Sequence, residues 1–174
     1  MRIAIVAYPQ MAREDEEWIS AIQRRHNELG HSILPPHFTL VFPLAGISEE
    51  AIAEHIGREV ARCKSVAFVL RCAIFLTDDS SDKHFVVLVP DEGFSGIVKL
   101  HDRLYTGILE PSLRLDIPYV PHITIGYSMN ARACKEICDA LNREEFEIKG
   151  SVSRLDLVRL ETDKAWSVQQ FELR

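Results

Sequence analysis

One phrase occurs twice in this chain, as PHFTLVFP from Pro36 and PHITIGYS from Pro121, with the two histidines 85 positions apart. Each copy reads Pro, His, apolar, Thr, apolar, the alternation of a strand that keeps one face in a core. Successive strand side chains point to opposite sides, so Phe38, Leu40 and Phe42 are expected on the core face, with His37 and Thr39 together on the other. In the second copy Ile123, Ile125 and Tyr127 share the core parity, which leaves His122, Thr124 and Gly126 opposite. Seven His and five Thr placed at random in this chain give roughly 0.2 His-x-Thr matches. Two copies in equivalent strands therefore need another cause, and the fold must give the two strands related settings.

The apolar spacing around the phrases repeats as well. The first half reads as a strand from Arg2 to Tyr8, a helix from about Arg13 to Leu29 with Ile19, Ile22 and Leu29 on one face, Gly30 as its C-terminal cap, and a strand from His37 to Phe42. Ser48 opens a second helix, with Glu49 and Glu50 favouring its dipole and Ile52, Ile56, Val60 and Cys63 as its apolar stripe. A strand from Val66 to Leu76 follows, then the polar run TDDSSDK, read as an exposed turn. The second half replays this order. It has a strand from His84 to Val89, a helix from Phe94 to Tyr105, a connection carrying Pro111 and Pro118, and the strand with His122. Asn130 then caps a helix with Cys134, Ile137, Cys138 and Leu141 on one stripe, and strands over Ser151–Leu160 and Trp166–Leu173 complete the half. Two halves of βαβαβ type, roughly 1–83 and 84–174, imply an internal duplication whose motifs meet across a cleft.

Composition limits what such a cleft can take. With 174 residues the chain suffices for one ample core or two small lobes without staples. A net charge of −6 counts against broad grip on a polyanion, because that affinity needs many Lys and Arg contacts. A nucleic-acid substrate would be small or held at one end, with no extended nucleic-acid surface. The N-terminal apolar run Ile3–Tyr8 is too short for a membrane span or a signal segment, so the chain is read as a cytoplasmic monomer that engages no membrane. Cys63, Cys72, Cys134 and Cys138 form no CxxC pair or secreted-type framework and are read as reduced core thiols. Cys134 and Cys138 lie one helical turn apart without a nearby His or Cys to complete a zinc set, and the acids Asp78, Asp79 and Asp82 read as a solvated loop.

The residue types then suggest chemistry. A His pair titrating near neutrality can keep one ring neutral as general base and the other protonated as general acid with no metal, and phosphodiester cleavage needs both roles. Thr hydroxyls can donate to nonbridging phosphate oxygens. No Walker sequence, GxGxxG or HExxH offers another phosphate or metal site.

Here the residues resemble a known family. HFTL at His37 and HITI at His122, one per half of a duplicated chain, resemble the paired H-x-T/S-hydrophobic signatures of the two-histidine (2H) phosphoesterases, which include 2'-5' RNA ligase-like proteins and cyclic phosphodiesterases. The resemblance implies a single bilobal α+β domain, with two antiparallel sheets flanked by helices and a central cleft. It implies metal-independent work on 2',3'-cyclic or 2'-5' phosphodiesters of nucleotides or RNA ends, with ligation as the reverse reaction and no cofactor. His37 and His122 take the catalytic roles, and Thr39 and Thr124 bind phosphate. Tyr8, Arg114 and Tyr127, on or beside the motif strands, are candidate substrate contacts, although the parity of Tyr127 favours packing. A module that binds a nucleotide or RNA end without turning it over, and a partner-binding domain with both His in its core, are the competing readings.

Overall fold

The computed structural model describes residues 2–26, 34–77, 82–162 and 164–174. Nine strands and four α-helices alternate along them. The first stretch holds β1 (Arg2–Ala7), the short β2 (Gln10–Met11), α1 (Arg13–His26), β3 (Phe38–Leu44), α2 (Glu49–Val60) and β4 (Val66–Thr77). The second holds β5 (His84–Glu92), α3 (Phe94–Leu104), a 3-10 turn (Gly107–Ser112), β6 (Ile123–Ser128), α4 (Ala131–Leu141), β7 (Ile148–Val152), β8 (Arg154–Leu160) and β9 (Ala165–Glu172). Leu29, Gly30, Asp78 and Asp79 lie outside the described residues.

Local chemistry places the helix starts where the sequence predicts them. Ser48 Oγ accepts from the Ala51 amide at 3.2 Å, and Asn130 Oδ1 accepts from the Arg132 and Ala133 amides at 3.0 and 3.2 Å. Their stripes are covered: Ile52, Ile56 and Val60 on α2 and Cys134 and Cys138 on α4 are buried. The expected strand Ser151–Leu160 begins three residues earlier and divides at Ser153 into β7 and β8, which pair with different neighbours.

The strands form one strongly curled antiparallel sheet in the order β2-β7-β4-β5-β6-β3-β1-β8-β9. Its two halves join through a single residue pair, Phe38 of β3 opposite Ile123 of β6. These are equivalent positions in the two motif copies, so a pseudo-two-fold axis passes through this pair. The lobes do not follow the chain halves. From the first half, β4 pairs with β5 and β7; from the second, β8 pairs with β1. Helices cross as well, α1 packing on β6 and α3 on β3. The core fills the helix-covered side, where Phe38 meets Phe68 edge-on at 5.1 Å. No helix among the described residues is long and apolar enough to cross a membrane.

Candidate active site

His37 and His122 stand just ahead of β3 and β6, each after a proline. Because Phe38 and Ile123 are fully buried on the core side, the alternation of the strands turns His37, Thr39, His122 and Thr124 to the opposite face. Antiparallel register about the Phe38–Ile123 pair sets His37 beside Thr124 and Thr39 beside His122, with the two imidazoles on a diagonal. In a regular ladder, diagonal neighbours lie about 7 to 8 Å apart.

The two rings are held alike. Each Nδ1–H donates to the carbonyl two residues earlier, His37 to Pro35 at 2.8 Å and His122 to Val120 at 2.6 Å. A carbonyl only accepts, so Nδ1 carries the proton and Nε2 is left with its lone pair. Both imidazoles are half-buried. Desolvation pushes both below the ordinary histidine range, against the opposing pull of the carbonyl bond, and the charge of His122 pushes His37 down further. Each ring is therefore neutral at rest, and each disfavours a proton on the other.

On the side of His122 the cleft deepens into a cavity of about 350 Å³. Its walls include His122, Thr124, Phe42, Phe85, Arg114 and Asp116; His37 and Thr39 lie outside it, across the β3–β6 junction. Tyr8 meets His37 edge-on at 6.2 Å, and burial together with the Asp156 carboxylate pushes its phenol up to about 12, so it stays protonated. Arg114 enters from the connection ahead of β6 and donates twice to Asp116, at 2.7 and 2.5 Å. Tyr127 stacks at a tilt on Phe85 at 6.2 Å, with the Lys83 ammonium 5.7 Å from its ring.

Two of the sequence-based face assignments are corrected here. Phe42 does not join Phe38 and Leu40 in the core; it lines the cavity. Tyr127 does not share the face of Ile123 and Ile125; it lies opposite Phe85, which also lines the cavity. A β-bulge in each motif strand is the cause. Against β1 the partner jumps from Thr39 to Val41, and against β5 from Thr124 to Gly126. The extra residue, Leu40 or Ile125, reverses the parity of Phe42 and Tyr127; on β3 a second irregularity before Leu44 ends the reversal. The sequence reading gives Asp116 and Phe85 no site role and puts Phe42 in the core. For Asp116 the spacing Arg114-x-Asp116 was the available signal; for Phe42 there was none.

Among the described residues, no group of three His, Cys, Asp or Glu gathers where a metal ion would sit. Cys134 and Cys138 are buried and in no disulfide, the Cys134 thiol donating to the His84 carbonyl at 3.3 Å, and burial pushes Cys138 up to about 11, which keeps it protonated.

Comparison with known proteins identifies the family and the fold. The sequence profile of the 2'-5' RNA ligase superfamily matches residues 11–164. A Bacillus licheniformis protein that carries the provisional name phosphoesterase is 21% identical over 170 residues, spanning 98% of this chain and 96% of that one. Among solved structures, TT0787 of Thermus thermophilus superposes with a TM-score of 0.65 at 18% identity, covering 100% of this chain and 98% of the other. LigT of E. coli, in a complex with 3'-AMP, gives a TM-score of 0.60 at 17% identity, covering 99% of this chain and 97% of that one. The fold is shared with these structures, and the family match takes in both motif copies: the chain belongs to the 2'-5' RNA ligase superfamily, the two-histidine phosphoesterases.

Proposed function

We propose that this protein is a metal-independent phosphodiesterase acting on 2',3'-cyclic or 2'-5' phosphodiesters of nucleotides or RNA ends. The observation that carries the reading is the matched pair of Nδ1–carbonyl hydrogen bonds, which dedicates one Nε2 on each strand to the shared cleft face. A bound phosphodiester brings negative charge beside two rings that sit neutral, and its field restores a proton to one of them. The neutral ring then takes a proton from water as the water oxygen bonds to phosphorus. As the bond from phosphorus to the leaving ribose oxygen breaks, the protonated ring gives that oxygen its proton. Thr39 and Thr124 donate to the nonbridging oxygens, where charge builds. Substrate orientation decides which ring is acid and which is base, and ligation of RNA ends follows when a 5'-hydroxyl takes the place of water, bonding to the phosphorus of a cyclic phosphate as one ribose oxygen leaves. Tyr8, Arg114 and Tyr127 border the site and are assigned to substrate binding. The capture of 3'-AMP by LigT, named in its structure, fits a small nucleotide ligand, as does the net charge of −6.

The test is a screen of 2',3'-cyclic nucleotides, 2'-5' dinucleotides and cyclic-phosphate-ended RNA with EDTA present throughout. Turnover of at least one class is expected, with His37→Ala or His122→Ala each losing about 10²- to 10⁴-fold in kcat. Wild-type-like rates in either variant, a requirement for added metal, or tight binding without turnover would overturn the reading.

A further inference from the structure

The bulges leave the two Thr peptides at points where the ladder is broken, and a separate side chain holds each from the other half of the chain. Tyr119, ahead of β6, donates its hydroxyl to the Thr39 carbonyl at 2.9 Å. Gln23, on α1, donates its amide to the Thr124 carbonyl at 2.7 Å. The same backbone atom of the two equivalent residues is thus gripped by chemically different donors. The grip on β3 is the more elaborate. His101 of α3 stacks flat on Tyr119, with ring centroids 3.6 Å apart and planes 3° from parallel, and its Nδ1–H donates to the Leu40 carbonyl at 2.8 Å. The Tyr105 hydroxyl accepts from the Phe42 amide at 2.9 Å. Three links, at Thr39, Leu40 and Phe42, therefore fix the bulge on which Thr39 sits. On β6 the bulge is steadied by close approach: a Cβ added at Gly126 would come within 2.9 Å of His26 Cβ.

We propose that Tyr119 and Gln23 are positioning residues of the reaction, Tyr119 aiming the Thr39 hydroxyl and Gln23 aiming that of Thr124. This rests on the reading of both Thr as phosphate donors. A hydroxyl contributes to a transition state only when its rotamer and backbone are set beforehand, and a bulge without anchors does not set them. His101 is the backing plate for Tyr119. It is buried, and desolvation holds it below the ordinary histidine range, so it stays neutral while the catalytic rings exchange protons.

The experiment uses the full chain labelled with ¹⁵N and ¹³C. Three-bond N–Cγ couplings report the χ1 rotamers of Thr39 and Thr124 without any substrate. Tyr119→Phe keeps the ring and its stacking, and is expected to average the Thr39 rotamer while leaving Thr124 fixed. Gln23→Leu, or Gln23→Met where the former does not fold, is expected to do the reverse. On the 2',3'-cyclic nucleotide that the wild type turns over fastest, each variant should lose about 10- to 100-fold, mainly in kcat. Tyr119→Phe should then cost little in a Thr39→Val background and its full amount in a Thr124→Val background. Unchanged couplings in both variants, averaging of both Thr by either one, or equal losses in the two Val backgrounds would overturn the proposal. Couplings that change as expected in a chain that turns over no phosphodiester would sustain the aiming and refute the proposed function instead.

Discussion

His37 and His122 are chemically ordinary imidazoles made unusual by where their Nδ1 atoms point, and that shared geometry predicts how they fail. If one ring takes a proton while its partner gives one, kcat/KM is bell-shaped in pH with both limbs set by imidazoles. Removal of both rings should cost far less than the product of the single losses, because either loss already stops the coupled transfer. Pre-steady-state and steady-state rates on one cyclic nucleotide from pH 5 to 9 check both points, and independent additive losses would separate the two rings mechanistically. Arg114 belongs to a different class. Held by Asp116 at the cavity wall, it has no part in proton transfer, so Arg114→Gln should raise KM while moving kcat little, and an unchanged KM would remove it from the site. At this scale the sequence singled out the four motif residues as candidates because a phrase repeated in related settings is a strong signal, and the two strands that carry them lie side by side. It could not disclose Phe42, whose face depends on a one-residue slip in register that no alternation pattern announces, or the Tyr119–His101 stack, which brings α3 against the connection ahead of β6.

The elements were legible to the extent that they are governed locally. Ser48 and Asn130 mark true helix starts because a side-chain oxygen there satisfies amides that no helix can satisfy itself. Asn130→Ala should cost about 1 kcal/mol of stability, read as a drop in melting temperature with activity retained. What pairs with what is nonlocal and was not legible. The residues from Ser151 to Leu160 read as one strand, yet Val152 and Leu155 are buried in different strands because β7 pairs with β4 and β8 with β1. Gly126 shows the same limit from the other side. Read as a polar-face strand residue, it lies against α1, where an added Cβ would come within 2.9 Å of His26 Cβ. Gly126→Val should destabilise by about 1 to 3 kcal/mol, through displacement of His26 and its helix, and urea unfolding with an unaltered slope would measure it.

For the molecule as a whole, four histidines share one electrostatic direction. Burial lowers His26, His37, His101 and His122 in the fold, while the unfolded chain binds protons at about pH 6.5. Below that pH the unfolded state takes up more protons than the native one, so stability is fully present above about 6.5 and is lost as the pH falls through the folded values. The melting temperature should therefore decline from pH 7.5 to 5. A melting temperature that climbs on acidification would contradict this account. The strand exchange between the halves has a consequence for biosynthesis. Strand β1 waits for β8, with Arg2 opposite Leu160. At ribosomal speeds roughly 8 to 30 s separate their appearance. During that interval the nascent chain carries β1 with an open edge and an unfinished cleft. Translation stopped short of β8 would yield a polypeptide that holds both histidines and cannot assemble the floor beneath them.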